Sequence, residues 1–475
     1  MKRASPRHIL AAALALGHPG ARADPIDAAV AAQMARHHIP GLSLAVVQDG
    51  AVVKAAGYGT TAGAGSAPVT ANTLFIAGSV SKPVAAMGAL RLVEAGKLSL
   101  DTDVNAALRV WKVPENAFTA DSKVTLRRIL SHSAGLTVHG FRGYGVGELP
   151  PTLVQVLDGA GNSEAVRVDL VPGTKWRYSG GGYTVMQELV VEVTGKSFPA
   201  FMREAVLDPL GMASSSFEQP MPAARAARAA CGYTSPGVPV PGGWHVYPEM
   251  AAAGLWTTAS DLARFVIGLQ NAYSGRSNPV LSQKMAREMV TIQTGDDGLG
   301  VFIRGQGPSR RFEHNGVDEG FDTMMVGYVE RGQGAVVMIN INDDSRAVSR
   351  IVEAIADSYG WPDYPHFKPA PPIEDGEPAV TAQIKAVFEA SQAGKIDRSL
   401  FTARLADLIE TSLSGPLGQR LRGYGPLRSI AVTGRETHGL VRVYRYRIEW
   451  ENDTIDATAT YDSGGRIAGL AFQPE

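Results

Sequence analysis

The strand-like runs of this chain lie on either side of a long helical middle, and that separation limits the fold more than any other feature. Residues 42–47 and 51–53 flank Asp49-Gly50, and Asp-Gly between two apolar runs is a strong hairpin signal. Strand-like runs return at 300–303, 323–329 and 335–340. Helical patterning covers 27–38 before the hairpin, 84–95 and 185–193 in the middle, and 348–359 after the last of these strands. Strands at both ends with helices between predict one α/β layer split by a helical insertion. A βαβ series does not fit that order.

A composition shift follows. Residues 363–377 contain Pro365, Pro369, Pro371 and Pro372, with Pro378 just beyond, and read as an extended linker between a main unit at 24–362 and residues 378–475. Helical segments at 380–393 and 399–413 come next. Tyr444, Tyr446, Ile448 and Trp450 then alternate with Arg445, Arg447 and Glu449, while Ile455, Ala457, Ala459 and Tyr461 alternate with threonines and Asp456. Period-two alternation predicts strands with one buried face, so 378–475 reads as a small α+β domain.

Composition narrows the function. The 45 basic and 46 acidic residues leave a net charge of -1, without the basic excess of a nucleic-acid binder. The single cysteine, Cys231, excludes a disulfide framework and any multi-cysteine metal site. No apolar run reaches about 18 residues, so no transmembrane segment is predicted. At the start, Lys2, Arg3, Arg7 and His8 precede an apolar stretch at 9–16 and then Ala21-Arg22-Ala23. That order reads as a signal peptide over 1–23, cleaved near Asp24, and predicts a periplasmic or secreted protein.

Chemistry concentrates in three segments. Ser79 is the one serine followed three residues later by a lysine, Lys82, at the start of a helical run. One helical turn places both on the same face, where the lysine can deprotonate the serine if burial lowers its pKa. The plain alternative is an N-cap serine followed by a solvated lysine. Tyr178 adjoins the glycine run 180–182, and its phenol beside an ammonium can relay a proton. His314-Asn315-Gly316-Val317 places a polar side chain before a glycine that lets a substrate approach a strand edge.

In this order the segments resemble the three motifs of the serine β-lactamase and penicillin-binding-protein superfamily, in its class C β-lactamase-like branch. That branch includes D-Ala-D-Ala carboxypeptidase, D-aminopeptidase and esterase relatives. Ser79-Val80-Ser81-Lys82 matches the nucleophile motif, Tyr178-Ser179-Gly180 lies at Tyr-x-Asn, and His314-Asn315-Gly316 lies at Lys-Thr-Gly or His-x-Gly. Residues 129–136 and 254–262 are similar to supporting stretches of the family. The resemblance spans about 27–360. It implies an α/β (α+β) fold of the β-lactamase/transpeptidase type, with an antiparallel sheet flanked by helices and a helical subdomain.

It also implies site roles. Ser79 would be acylated, and Lys82 and Tyr178 would share base and acid duties. The N–H groups of Ser79 and Val317 would form the oxyanion hole, while His314, Gly316 and Gly180 would contact substrate. Ser131 and His132 would be structural. Gly180 replaces an asparagine amide, and His314 is not a fixed cation, so both point away from an efficient β-lactamase. The expected activity is hydrolysis of an amide or ester in a small-molecule or peptidoglycan-derived substrate, without cofactor or metal. A non-catalytic penicillin-binding sensor is the alternative. The chain lacks the G-x-S-x-G elbow of α/β-hydrolases and the H-E-x-x-H pair of zinc peptidases.

Overall fold

The computed structural model describes residues 24–474 except 277–278, 344, 367–369, 415 and 452; the expected signal segment at 1–23 lies outside the described residues. Helix α1 (Pro25–Arg36) starts at Asp24, whose side chain accepts from Ile26 N at 2.9 Å. Strands β1 (Gly41–Gln48) and β2 (Ala51–Gly59) form the expected hairpin. Asp49 and Gly50 have φ of 53° and 74°, the paired left-handed conformations that match the twist of the flanking strands.

Strands β3 (Phe302–Arg304), β4 (Arg311–Asp318), β5 (Phe321–Tyr328) and β6 (Gly334–Ile339) complete an antiparallel sheet ordered β2-β1-β6-β5-β4-β3. Leu42 stands opposite Ile339, so the two ends of the main unit meet at the centre of the sheet. Both faces of β1 are covered. Leu42, Leu44 and Val46 pack with Ile26 and Val30 of α1, whereas Ala45 and Val47 belong to the larger core on the opposite face. A strand buried on both sides reads as a continuous apolar run.

On the inner side, helix α2 (Ser81–Glu94) is buried along most of its length. Its small residues permit that depth: a Cβ on Gly88 would stand 2.6 Å from Met202 Sδ. Helices α3 (Gly180–Thr194) and α4 (Ala259–Tyr273) surround it, while α5 (Arg346–Ser358) joins α1 on the outer face. Strand β4 was not anticipated as a strand. Its sequence, Arg-Phe-Glu-His-Asn-Gly-Val-Asp, is too polar for a hydrophobic pattern to reveal it.

The C-terminal unit holds α6 (Pro378–Gln392), α7 (Ala403–Leu413) and α8 (Pro416–Gly423), followed by a four-stranded antiparallel meander. Its strands are β7 (Leu427–His438), β8 (Val441–Trp450), β9 (Thr454–Tyr461) and β10 (Ile467–Pro474). The alternating residues of β8 and β9 bury one face against Ile384, Val387 and Phe388. The segment expected as a free linker is tied at both ends. Tyr364 is buried beside Trp361, Ile373 N donates to Val432 O at 2.8 Å, and Tyr444 donates to Glu377 at 2.8 Å. Arg346 bonds Asp343 and Asp453, linking the two units. Among the described residues no helix is long and apolar enough to cross a membrane.

One close approach fixes the geometry of the inner face. A Cβ on Gly316 of β4 would stand 2.1 Å from Ala77 O, 2.8 Å from Ser79 N and 2.9 Å from Val80 N. All three are backbone atoms and cannot swing aside. Gly316→Ala should therefore cost about 1–3 kcal/mol of stability through overpacking. Gly50→Ala, with nothing within 4 Å, should lose only the left-handed strain of about 1–2 kcal/mol. Urea unfolding midpoints check both, and only Gly316→Ala should also disturb Ser79.

Candidate active site

Ser79 sits in a single 3-10 turn, Gly78–Val80, that leads directly into α2. The turn is anchored from behind. Ala77 N donates to Leu255 O at 2.9 Å, and Leu255 N donates to Ser81 Oγ at 3.0 Å. Phe75–Ile76 pairs with Trp256–Thr257 as a short two-stranded ladder, which explains the 254–262 stretch as a clamp on the nucleophile segment.

One turn on, Lys82 Nζ donates to Ser79 Oγ at 2.9 Å and to Ala252 O at 2.8 Å. Lys82 is 2% exposed. Burial disfavours the ammonium and pushes the amine down to about 7, with the charge of Asp318 acting in the opposite sense. The solvated-lysine alternative does not describe this side chain. It is a buried amine whose charged form is disfavoured by its surroundings.

Tyr178 shares a side-chain hydrogen bond with Ser79, and Lys82 Nζ lies 4.9 Å from the centre of its ring. Burial holds its phenol protonated, above the usual tyrosine range. His132 stacks on Tyr178 at 4.2 Å between ring centres, and its Nδ1 accepts from Ser179 N at 3.1 Å. Burial pushes that imidazole well below its ordinary value, so His132 stays neutral and braces the tyrosine. Ser131 turns away, donating to Arg127 O at 2.9 Å.

Strand β4 supplies the opposite wall. A Cβ on Gly78 would stand 2.7 Å from Val317 N, and one on Gly316 2.8 Å from Ser79 N. The two amides expected to form an oxyanion hole are therefore brought to adjoining points. His314 is placed differently from expectation. It is 2% exposed, its Nδ1 contacts its neighbour's carbonyl, Asn315 O, at 2.6 Å, and its ring packs 5.0 Å from Phe302. Burial and the nearby Lys82 charge push it down to about 3, so it stays neutral at ordinary pH. His314 lies on the buried face of β4 with Gly316 and Asp318; Asn315, Val317 and Asp318 line the cavity holding Ser79, and His314 and Asn315 border the adjoining one.

Gly180 also departs from the expected role. Its N–H donates to His139 O at 3.0 Å, and a Cβ there would stand 3.1 Å from both that oxygen and the Phe141 ring. His139, Gly140 and Phe141 form the wall in place of a side chain at 180. The cavity measures about 420 Å³ and includes Trp176, Phe302 and Asp318. Sequence reasoning missed Asp318, Ala252 and the 139–141 wall. An acid two positions after Gly316 was the one visible signal for Asp318; an alanine acting through its carbonyl leaves none.

Penicillin-binding protein 4 of Amycolatopsis lactamdurans is 33% identical over 179 residues, covering 38% of this chain and 45% of that protein. Esterase EstB of Burkholderia gladioli is 26% identical over 209 residues, covering 40% and 50%. The chain thus spans about half the length of these curated relatives. The octameric penicillin-binding protein homologue from Pyrococcus abyssi superposes with a TM-score of 0.62 at 20% identity, covering 95% of each chain. That likeness of fold extends into the C-terminal unit. The Beta-lactamase family model matches residues 26–358, and the chain belongs to that family.

Proposed function

We propose that this protein is an exported serine hydrolase that cleaves an amide or ester bond through an acyl-Ser79 intermediate. The observation that carries this reading is the 2.9 Å hydrogen bond from a buried Lys82 to Ser79 Oγ. Lys82 and Tyr178 serve as the proton relay, and the Ser79 and Val317 N–H groups hold the oxyanion. Residues 1–23 direct export. The hydrolase unit is 24–362, joined through 363–377 to the α+β unit 378–475.

The cavity favours uncharged acyl groups. Its described lining is rich in aromatic rings, and Lys82 is its one lysine or arginine. A site that must keep Lys82 neutral for catalysis has no spare positive charge for a substrate carboxylate. Hydrolysis of an ester or amide that carries no carboxylate beside the scissile bond fits better than penicillin turnover or removal of a C-terminal residue, and β-lactamase activity is weak at most.

The test is covalent labelling with a fluorophosphonate and with a fluorescent penicillin, read by intact mass and peptide mapping. A single adduct on the fragment bearing Ser79, absent from Ser79→Ala, is expected. No Ser79-dependent adduct with either reagent would sink the reading.

Lys82→Ala and Tyr178→Phe should each lower turnover by about two to four orders of magnitude, and the double variant should fall well short of the multiplied losses. Multiplicative losses would separate the two groups. The ammonium form of Lys82 cannot accept the serine proton, so kcat/KM should rise with pH and level off above about 7, where Lys82 deprotonates. His314, pushed down to about 3, contributes no change of charge in this range. The kcat/KM ratio of carboxylated to uncharged substrate should therefore show no step attributable to His314 between about pH 6 and 8. His314→Gln should leave that ratio unaltered, and a step that vanishes in this variant would restore the histidine as a carboxylate reader.

A further inference from the structure

The cavity holding Ser79 adjoins a larger one of about 520 Å³, and Trp176, Phe302 and Asn315 line both. Trp176 stands between them as a fixed plate. Its Nε1 donates to the buried Asp297, and a Cβ on Gly295 would stand 3.7 Å from its ring atoms Cδ1 and Cγ. The indole is nevertheless 46% exposed, so a ligand can lie across it from one cavity to the other. We propose that the second cavity seats a sugar: the substrate is an ester whose leaving alcohol is a neutral, hydroxyl-rich ring stacked on Trp176.

The walls of this cavity are charged but balanced. Arg304 pairs with Asp296 and reaches Glu313 at 3.4 Å, and Arg311 holds Glu313 from the other side at 3.0 Å. The Arg304 guanidinium lies 5.6 Å from the centre of the Phe302 ring, which sets its orientation. Burial pushes Asp297 up to about 7, so it is protonated for much of the time at neutral pH. Such walls offer directional donors and acceptors without a spare charge. An apolar group would strip water from the ion pairs and return nothing. A charged group would find each opposite charge already paired. Hydroxyls can both give and accept hydrogen bonds at Asp296, Arg304 and Glu313. The C–H face of the same ring suits the electron-rich face of the indole.

This deepens the acyl-serine reading and rests on it. The acyl group takes the Ser79 cavity, whose lining favours uncharged groups, so the leaving alcohol is the part that reaches the second cavity. The bond from Ser79 Oγ to the acyl carbon forms as the Oγ proton passes to the relay. The bond from that carbon to the sugar oxygen breaks, and the relay protonates that oxygen. Water then removes the acyl group as a carboxylic acid and restores the Ser79 hydroxyl.

The test compares two butyrate esters in the full chain: methyl glucoside butyrylated at its primary hydroxyl, and cyclohexylmethyl butyrate, a ring of the same size without hydroxyls. Both give the same acyl-Ser79, so their ratio of kcat/KM isolates the leaving alcohol. The sugar ester should be favoured about tenfold. That preference should fall by about the same factor in Arg304→Gln, which changes a residue lining only the second cavity, and in Trp176→Ala. A packing defect lowers both rates and leaves their ratio in place, and the ratio in the parent needs no variant. Equal kcat/KM for the two esters in the parent, or a preference that survives both variants, overturns the proposal. So does a higher kcat/KM for choline butyrate, whose leaving group is a fixed cation. Each of these outcomes leaves the acyl-serine reading intact, whereas the absence of any fluorophosphonate adduct on Ser79 overturns both.

Discussion

A primary amine taken out of water loses several kcal/mol of hydration unless it is paired or neutral, and the inner face of this protein is organised around that cost at Lys82. Ser79 Oγ and Ala252 O accept its hydrogen bonds, and aromatic rings occupy the space around it. The result is an amine that is neutral for much of the time near pH 7. Burial therefore does chemical work here, because the same desolvation that destabilises the ammonium creates a base next to a hydroxyl. It also explains why the histidines nearby are neutral: each would add a second cation to a region that tolerates one poorly.

In the proposed reaction such an amine is useful only if Ser79 and the two backbone amides are fixed to within a fraction of an ångström. Backbone contacts provide that precision. Gly316 lets β4 touch the Gly78–Val80 turn without an intervening side chain, and Leu255 holds the same turn from the other side through two hydrogen bonds. Ser79 is thus gripped by a sheet edge and a ladder that are distant in sequence. The sheet itself is closed by β1 against β6, so the catalytic geometry depends on pairing the first and last strands of the unit.

Those dependencies decide what could be read from sequence. The hairpin at Asp49-Gly50, the buried helix after Ser79 and the alternating strands of the C-terminal unit follow from local patterns, and all are present. Ser79, Lys82 and Tyr178 share a recognisable order, and the fold brings them together. The orientation of His314 was not legible. His314 shares the buried face of its strand with Gly316 and Asp318, and nothing in the polar run 311–318 shows that it is packed away there rather than left open to a substrate. Ala252 contributes only a carbonyl, which every residue possesses. The wall at 139–141 could not be inferred from Gly180, since an absent side chain does not reveal which backbone fills its place.

The attachment of the C-terminal unit shows how chemistry and assembly are kept apart. Arg346 bridges Asp343 and Asp453, and its chain neighbour Ser345 lies 3.5 Å from Asn315 Nδ2 at the rim of the cavity. A contact that long contributes little as a hydrogen bond, so it cannot transmit much energy between the units. The described lining of the catalytic cavity runs from Ser79 to Asp318 and takes nothing from residues beyond 318. Arg346 begins the helix on the outer face of the sheet, whereas Ser79 lies on the inner side. Placing the ionic tie on the outer face lets it carry the added unit while the buried amine and its serine remain in an environment set wholly by the β-lactamase-family unit.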